Sequence, residues 1–521
     1  MSMKAYLSLI LLLFTSSLFA QNNAEDIDVA FGPMFNAGKR AVPTRFVGAD
    51  DSGFYVIYSR GKHGQGEKII YKFGYDLKPQ LNKPLSKRIG ALNTQTQSVF
   101  QIDEKLYHVS TLSQGREKRF YLQEIGTDNL NQTQPKELDR FQTEGKSAAF
   151  GTTEISMTED TSRISIVYSI PSRRKENEAF GVNVFDREMN PLWKGTFELP
   201  YENRLLELQN YRIDNEGTVY MLGKRYFNKR RERVEGLVNY DYLLFSLQRN
   251  GDLDSLKIGS EGKFLRSMQV SLAANGDIIS TGFYSDRNTA NIGGAYYLRI
   301  DGQSREVINS SFKEFEIDFL TANMTERKAK RTKKRIEEGK NVELPSYYID
   351  DLITKPDGGV IMIGEKRQII VSTSYAGYVA VTTTSYYYDD ILVVEISPEG
   401  EINWANRVAK KQWTVNDGAA YSSYATMVRD QEVVLIYNDN NENLFYDGVG
   451  RVAPMRKNSS TVVMAARVGE FGDVKRAGLF RRGEAEIKIR PVFAHQLDED
   501  EMLIFGHRTL KNQRFVILKF K

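Results

Sequence analysis

One unit recurs along this chain and constrains its fold more than any other feature. The cleanest copy runs from Asp357 to Val408. A turn leads into GGVIMIGE, then DILVVEIS, then PEGEINW. Each unit reads as a turn, an apolar strand ending near glycine, a connection, a second apolar strand, a tight polar turn and a further strand. A short strand precedes the first turn, so the unit has four strands. Counted that way, the second strand recurs at 54–59, 106–111, 163–169, 218–223, 277–282, 359–364, 432–437 and 502–506. The third recurs at 68–74, 119–125, 181–185, 242–247, 296–300, 391–396, 462–468 and 515–520. These runs are rich in Val, Ile, Tyr and Phe and are bounded by Gly, Asp and Asn, which is strand chemistry. Turns such as Asn275-Gly276-Asp277 and Asn250-Gly251-Asp252 suit antiparallel hairpins.

Eight copies over roughly 500 residues give about 62 residues each, longer than the usual propeller blade, so insertions are expected. The expected fold is all-β: a single β-propeller of about eight four-stranded blades, with seven as the alternative. The last copy stops at Lys521 after its third strand. An unpaired strand edge invites aggregation. Residues 27–34 (IDVAFGPM) precede the first full copy, and they are expected to supply the missing outer strand and close the ring.

The segment from Asp390 to Trp404 (DILVVEISPEGEINW) and, more weakly, Leu243 to Leu253 (LLFSLQRNGDL) resemble the blade signature of quinoprotein-like and Gly-Asp-type propellers of exported bacterial proteins. That resemblance implies the propeller fold over the whole mature chain. It carries no catalytic residues across, because blade signatures do structural work.

The N-terminus reads as an export signal over residues 1–20. Lys4 is the positive end, LSLILLLF (7–14) the apolar stretch, and SSLFA then Gln21 a small-residue cleavage site. The apolar run is shorter than the ~20 residues a spanning helix needs. The propeller domain then covers 21–521, and its expected residence is the periplasm or the periphery of the outer membrane. With no cysteine, the chain has no disulfide, thiolate zinc site or cysteine nucleophile. Its 71 basic and 67 acidic residues leave a net charge of +4, against a generic nucleic-acid binder, so no nucleic acid is expected as a partner.

That small net charge hides a polarised layout. In a unit of alternating strands, first-to-second and third-to-fourth turns lie on one rim; second-to-third and unit-to-unit connections lie on the other. The first-to-second turns are acidic: Asp50-Asp51, Asp103-Glu104, Glu159-Asp160, Asp214 with Glu216, Asp277, Asp357 and 498–501. The second-to-third loops lean basic, as at Arg60 with Lys62, 173–175, 224–225, Lys366-Arg367 and Arg508 with Lys511. Either this dipole steers a partner, or acidic residues merely suit turns and basic ones suit exposed loops.

The basic rim also receives three insertions. The first, 311–345, contains Glu326 to Lys340 (ERKAKRTKKRIEEGK), helix-forming and +5, with eight basic against three acidic residues. Its cations Arg327, Lys328, Lys330, Arg331, Lys333, Lys334 and Arg335 form one candidate binding surface, for an acidic protein, an anionic lipid headgroup or a polysaccharide. The bland alternative is a solvated helix packed by Phe315, Ile317 and Phe319. The second, 368–388 (QIIVSTSYAGYVAVTTTSYYY), reads as an extra hairpin turning at Ala376-Gly377. Its Tyr375, Tyr378, Tyr386 and Tyr387 form a second candidate surface, for a protein partner. The third, 438–460, is a long loop. Within it, 439–443 has the opening spacing of a calcium loop but lacks its later Gly and Glu.

Chemical motifs are otherwise missing. Four scattered histidines make no metal constellation, and no metal or cofactor is expected. His108 and His507 sit on blade strands, where a satisfied structural histidine is the expected role; of the tryptophans, Trp413, in a connector, is the one suited to ligand stacking. No catalytic residue can be nominated, so the first expectation is a non-catalytic binding or scaffold protein of the cell envelope, such as a subunit of an envelope or secretion assembly. The alternatives are a carbohydrate-active lyase or hydrolase with a site in the propeller funnel, and a binder of an anionic ligand. An Arg, Tyr and Asp/Glu cluster in the funnel would favour the enzyme.

Overall fold

The computed structural model describes residues 26–521 except 39, 62–65, 144–151, 172–174, 260–261, 287–290, 323, 341, 346, 377–378, 430–431, 447, 449 and 457–459. The expected signal segment, His63 and the Arg173-Arg174 pair therefore lie outside the described residues, as does Tyr378.

The chain is mostly β. Eight sheets of four or five antiparallel strands follow one another along it, with one two-stranded ribbon at 233–238 beside them. Within each the strands lie side by side in chain order, as in a propeller blade. The first sheet is Ala41–Asp50, Gly53–Arg60, Glu67–Phe73 and Pro79–Pro84. Every second and third strand read from the sequence falls on a central strand of one of the eight sheets, four of them (218–223, 277–282, 359–364 and 68–74) overrunning it by one residue. The last sheet departs from chain order. Its outer position is taken by Ile27–Phe31, which pairs antiparallel with Asn512–Phe520, Ile27 opposite Phe520 and Phe31 opposite Val516.

The central strands are continuous apolar runs because both their faces are covered. Gly53–Arg60 is buried at every position but the last. Eight hydrophobic clusters do the covering, and each is shared by two consecutive sheets. The eighth joins last to first: Phe505 and Phe515 pack with Phe54 and Phe73, the Phe73 and Phe515 rings meeting edge to face at 4.8 Å. Each large side chain so buried contributes about 1.5–3 kcal/mol.

The acidic turns have local work. Asp50 accepts from the Ser52 backbone N–H at 2.8 Å and the Tyr55 hydroxyl at 2.5 Å. Asp214 accepts from Glu216 N, Thr218 N and the Tyr220 hydroxyl at 3.0, 2.8 and 2.9 Å. Asp357 and Asp498 take turn amides in the same way. These carboxylates close the tight turns between first and second strands.

The three insertions leave by connections of the other kind. Helices α1 (Ile317–Thr321) and α2 (Glu326–Glu337) lie between the fifth and sixth sheets. The preceding outer strand, Val307–Glu314, takes in residues 311–314, so the helical segment starts later than its composition suggested. The hairpin is a prolongation of the sixth sheet's own central strands, Val360–Ala376 and Val379–Ile396, which stay paired from Arg367–Tyr388 out to Ala376–Val379.

Candidate functional site

The long hairpin has a firm base and a bare tip. At the base, Glu365 and Lys410 are fully buried and 2.7 Å apart. Lys410 also donates to Tyr388 O and Gln412 Oε1, while Ser423 Oγ donates to the second Glu365 oxygen. Gln412 continues the network to Asn438 O in the next sheet. Every polar atom of the ion pair is thus engaged, the condition under which a buried charge pair fixes one conformation. Asp350 lies beside it, held by Arg367 and by the Tyr424 hydroxyl. Burial pushes the Asp350 carboxyl up to about 6.

Around the base, Gln412–Val415 pairs with Ser385–Tyr388 as a fifth strand. Trp413 stacks flat on Tyr387, centroids 6.0 Å apart, under the Arg456 guanidinium. The third insertion folds against the same strand, Trp413 N donating to Met455 O at 2.9 Å. Within it Asp439 pairs with Arg476 at 2.9 Å and takes the Asn443 amide, so the calcium-like spacing serves internal contacts.

Beyond the base, the hairpin stands clear. Val371, Tyr375 and Val379 are 64%, 76% and 65% exposed, with Ile369, Ile370 and Val381 also on the surface. Past Arg367 the first strand of the hairpin pairs only with the second, leaving its outer edge open among the described residues. Of the four tyrosines read from the sequence, Tyr375 is on this free surface. Tyr386 and Tyr387 are half-buried near the base, under the fifth strand.

On α2 the seven cations Arg327, Lys328, Lys330, Arg331, Lys333, Lys334 and Arg335 are all exposed. Ala329, Thr332 and Ile336 face inward, and Ile336 packs on the cluster that buries Phe315 and Phe319. Ile317, expected to help anchor the insertion, is instead 42% exposed. Lys333 pairs with Asp318 at 2.7 Å and Lys334 with Glu338 at 3.9 Å. The other five have no ion pair among the described residues. Many loop cations of this rim are, by contrast, neutralised: Arg225 by Asp241, Lys224 by Glu232, Lys366 by Asp389. The unpaired cations of α2 are thus one concentration of positive charge on this rim.

A cavity of about 890 Å³ opens on the same rim, where the first and last sheets meet the connector 417–421. Arg40, Asp417, Tyr421, Arg490 and His507 give it polar groups; Val42, Val492, Phe493 and Leu510 give it apolar walls. His507 is 8% exposed, and its Nε2 lies 2.8 Å from the Tyr421 hydroxyl. Burial, reinforced by Arg490, pushes its imidazole down to about 4, so it is neutral at pH 7. Sequence reasoning missed this group because its members come from four stretches far apart in the chain and no motif links them. His108 conforms to the structural role expected: fully buried, between Thr96 Oγ1 at 3.0 Å and the Gln132 amide at 2.7 Å.

No protein family and no curated protein matches the chain. Among solved structures it is similar to the Dos1 propeller, at 7% identity and a TM-score of 0.42 over 94% of each chain. It is similar to an oligogalacturonate lyase in complex with manganese, at 10% identity and 0.37, over 96% of this chain and 95% of that one. A polysaccharide lyase of the ulvan-lyase type follows at 10% and 0.34, over 80% and 90%. Such remote likenesses concern the fold alone, and no function is carried over from them.

Proposed function

We propose that this chain is an exported, closed eight-bladed propeller that binds a protein partner through its projecting hairpin. The ring reading rests on the eight shared clusters and on the outer strand that the N-terminal segment lends to the last sheet. Export, to the periplasm or the outer-membrane periphery, rests on the N-terminal sequence. The binding reading is carried by the hairpin tip. Water-exposed valines, isoleucines and a tyrosine on a ribbon with an open edge are costly to leave bare and suited to strand addition or aromatic anchoring by another protein. The fully satisfied network beneath the tip holds it in one place, which limits the entropy lost on binding.

The test uses full-length protein and a Val371→Lys, Tyr375→Ser, Val379→Lys variant. Both are used as bait in envelope extracts of the host, and any captured protein is purified and titrated. Affinity should fall at least tenfold in the variant with the melting temperature unchanged. Equal affinity in both proteins would refute the assignment.

A second reading draws on the five unpaired cations of α2, which suit an acidic polysaccharide or an anionic lipid headgroup. Its signature is co-sedimentation with phosphatidylglycerol vesicles, or retention by an acidic polysaccharide, that weakens steeply with salt. The carbohydrate lyase or hydrolase alternative would place its site at the rim cavity, where Arg490, Tyr421 and Asp417 supply the residue types expected of a catalytic funnel.

A further inference from the structure

The rim cavity holds a cation without a counter-ion. Arg490 lines it, and no carboxylate among the described residues lies within ion-pair distance. Among the described residues its guanidinium makes one long hydrogen bond, Nη1 to Pro43 O at 3.5 Å, and its buried Nε has no partner. Burial pushes its guanidinium down from the usual value. Arg490 is partly buried, and a cation that has lost part of its hydration without gaining a counter-ion is stabilised by an anion.

The surroundings add to the imbalance. Arg40 stands exposed at the mouth. Lys488, 6% exposed, lies opposite His507 in the strand register, with its ammonium 5.9 Å from the centre of the Tyr421 ring. Asp417 is the opposing charge in the lining, and its Oδ1 already accepts from Thr414 Oγ1 at 2.8 Å and Ala419 N at 3.0 Å. A second polar group is also unspent. His507 uses Nε2 on Tyr421, but its buried Nδ1 has no partner.

We propose that this cavity binds an organic carboxylate, with the Arg490 fork on the anion and the apolar wall against the body of the ligand. The planar guanidinium matches a carboxylate through two parallel hydrogen bonds. The apolar wall of Val42, Val492, Phe493 and Leu510 argues against a bare inorganic anion, which would leave it uncovered. The volume lies within the range of sites for drug-sized molecules. This site is separate from the hairpin and stands or falls independently of it.

Calorimetric titration of the full chain with two acid–neutral pairs tests the assignment: 4-phenylbutyrate against 4-phenylbutanamide, and trigalacturonate against maltotriose. At least one acid should bind at least tenfold more tightly than its neutral counterpart. Phenylbutyrate alone would identify an apolar acid, and trigalacturonate alone an acidic sugar. Inorganic phosphate should compete weakly. Arg490→Gln should abolish the preference for the acid. Because that variant touches a partly buried group, Leu510→Trp, at the accessible edge of the cavity, is the second probe, and it should weaken the same acid at least tenfold while the melting temperature holds. If neither acid is preferred, or if the preferred acid binds a folded Leu510→Trp protein unchanged, the assignment is wrong.

Discussion

The two rims use the same residue type in opposite ways. On the turn rim, aspartates sit at the surface and collect hydrogen bonds from the turn. Asp160 takes the Thr158 hydroxyl and the Ser162 amide, and these hold its carboxyl down at about 2. On the insertion rim, Asp350 and Asp439 are drawn into the protein beside arginines, yet burial outweighs those partners and pushes both carboxyls up to about 6. The acidic rim is thus a set of finished local structures. The other rim keeps charge and apolar surface that its own contacts do not exhaust, and it carries the hairpin, α2 and the cavity. Polarity read as one dipole resolves into turn chemistry on one side and unpaired charge with bare apolar surface on the other.

The largest expected effect lies beneath the hairpin. Lys410→Met removes the ion-pair partner of Glu365 in a fully buried site, and the stranded charge should cost about 3–5 kcal/mol. The double variant Lys410→Met, Glu365→Gln should recover most of that loss, since no bare charge remains. Chemical denaturation of both variants measures the pair. If Lys410→Met unfolds within about 0.5 kcal/mol of the parent, the base is not the rigid platform inferred for the hairpin.

A pH titration separates the rims next. The Asp350 carboxyl, at about 6 against an ordinary 3.8, binds a proton in the folded protein over a range where the unfolded chain has released it. Its contribution is therefore most favourable below about pH 4, falls as pH rises to about 6 and is flat above. Two pKa units amount to about 3 kcal/mol at most, and residual solvation reduces this. Asp350→Asn should flatten that part of the stability curve. Asp160 has the opposite sign: its contribution is present above about pH 4 and is lost as pH falls towards 2. A wild-type curve with no slope between pH 4 and 6 that Asp350→Asn removes would put the Asp350 carboxyl back in its ordinary range.

Much of this was legible in the residues. The central strands of each sheet are continuous apolar runs because sheets stack on both faces, and such runs announce themselves in sequence. The same local logic located the hairpin and α2, whose patterns break the repeat. It could not say that Tyr375 stands bare while Tyr386 and Tyr387 are half-covered, because Gln412–Val415 arrives from another segment to cover them. Nor could it find the cavity. Arg490 and His507 become neighbours of Arg40 only when the end of the chain packs against its beginning, and an unpaired charge is defined by what fails to lie near it. His507 read as a satisfied strand histidine; one of its ring nitrogens is satisfied and the other is not.

The smallest effect tests whether the acidic rim is as self-contained as its hydrogen bonds imply. Asp214 accepts from two backbone amides and from the Tyr220 hydroxyl, itself in contact with Arg305 of the next sheet. Asp214→Ala leaves those donors at a partly exposed turn where water replaces some of them, so the loss should be about 1–2 kcal/mol. Asp214→Asn keeps an acceptor oxygen and should lose about half as much, showing that the hydrogen bonds and not the charge are what the turn requires. Binding at the proposed hairpin and cavity sites should be unchanged in both. If binding weakened while stability held, the charge of this rim would be acting at a distance, and the division of labour between the two rims would have to be replaced by a single steering field across the molecule.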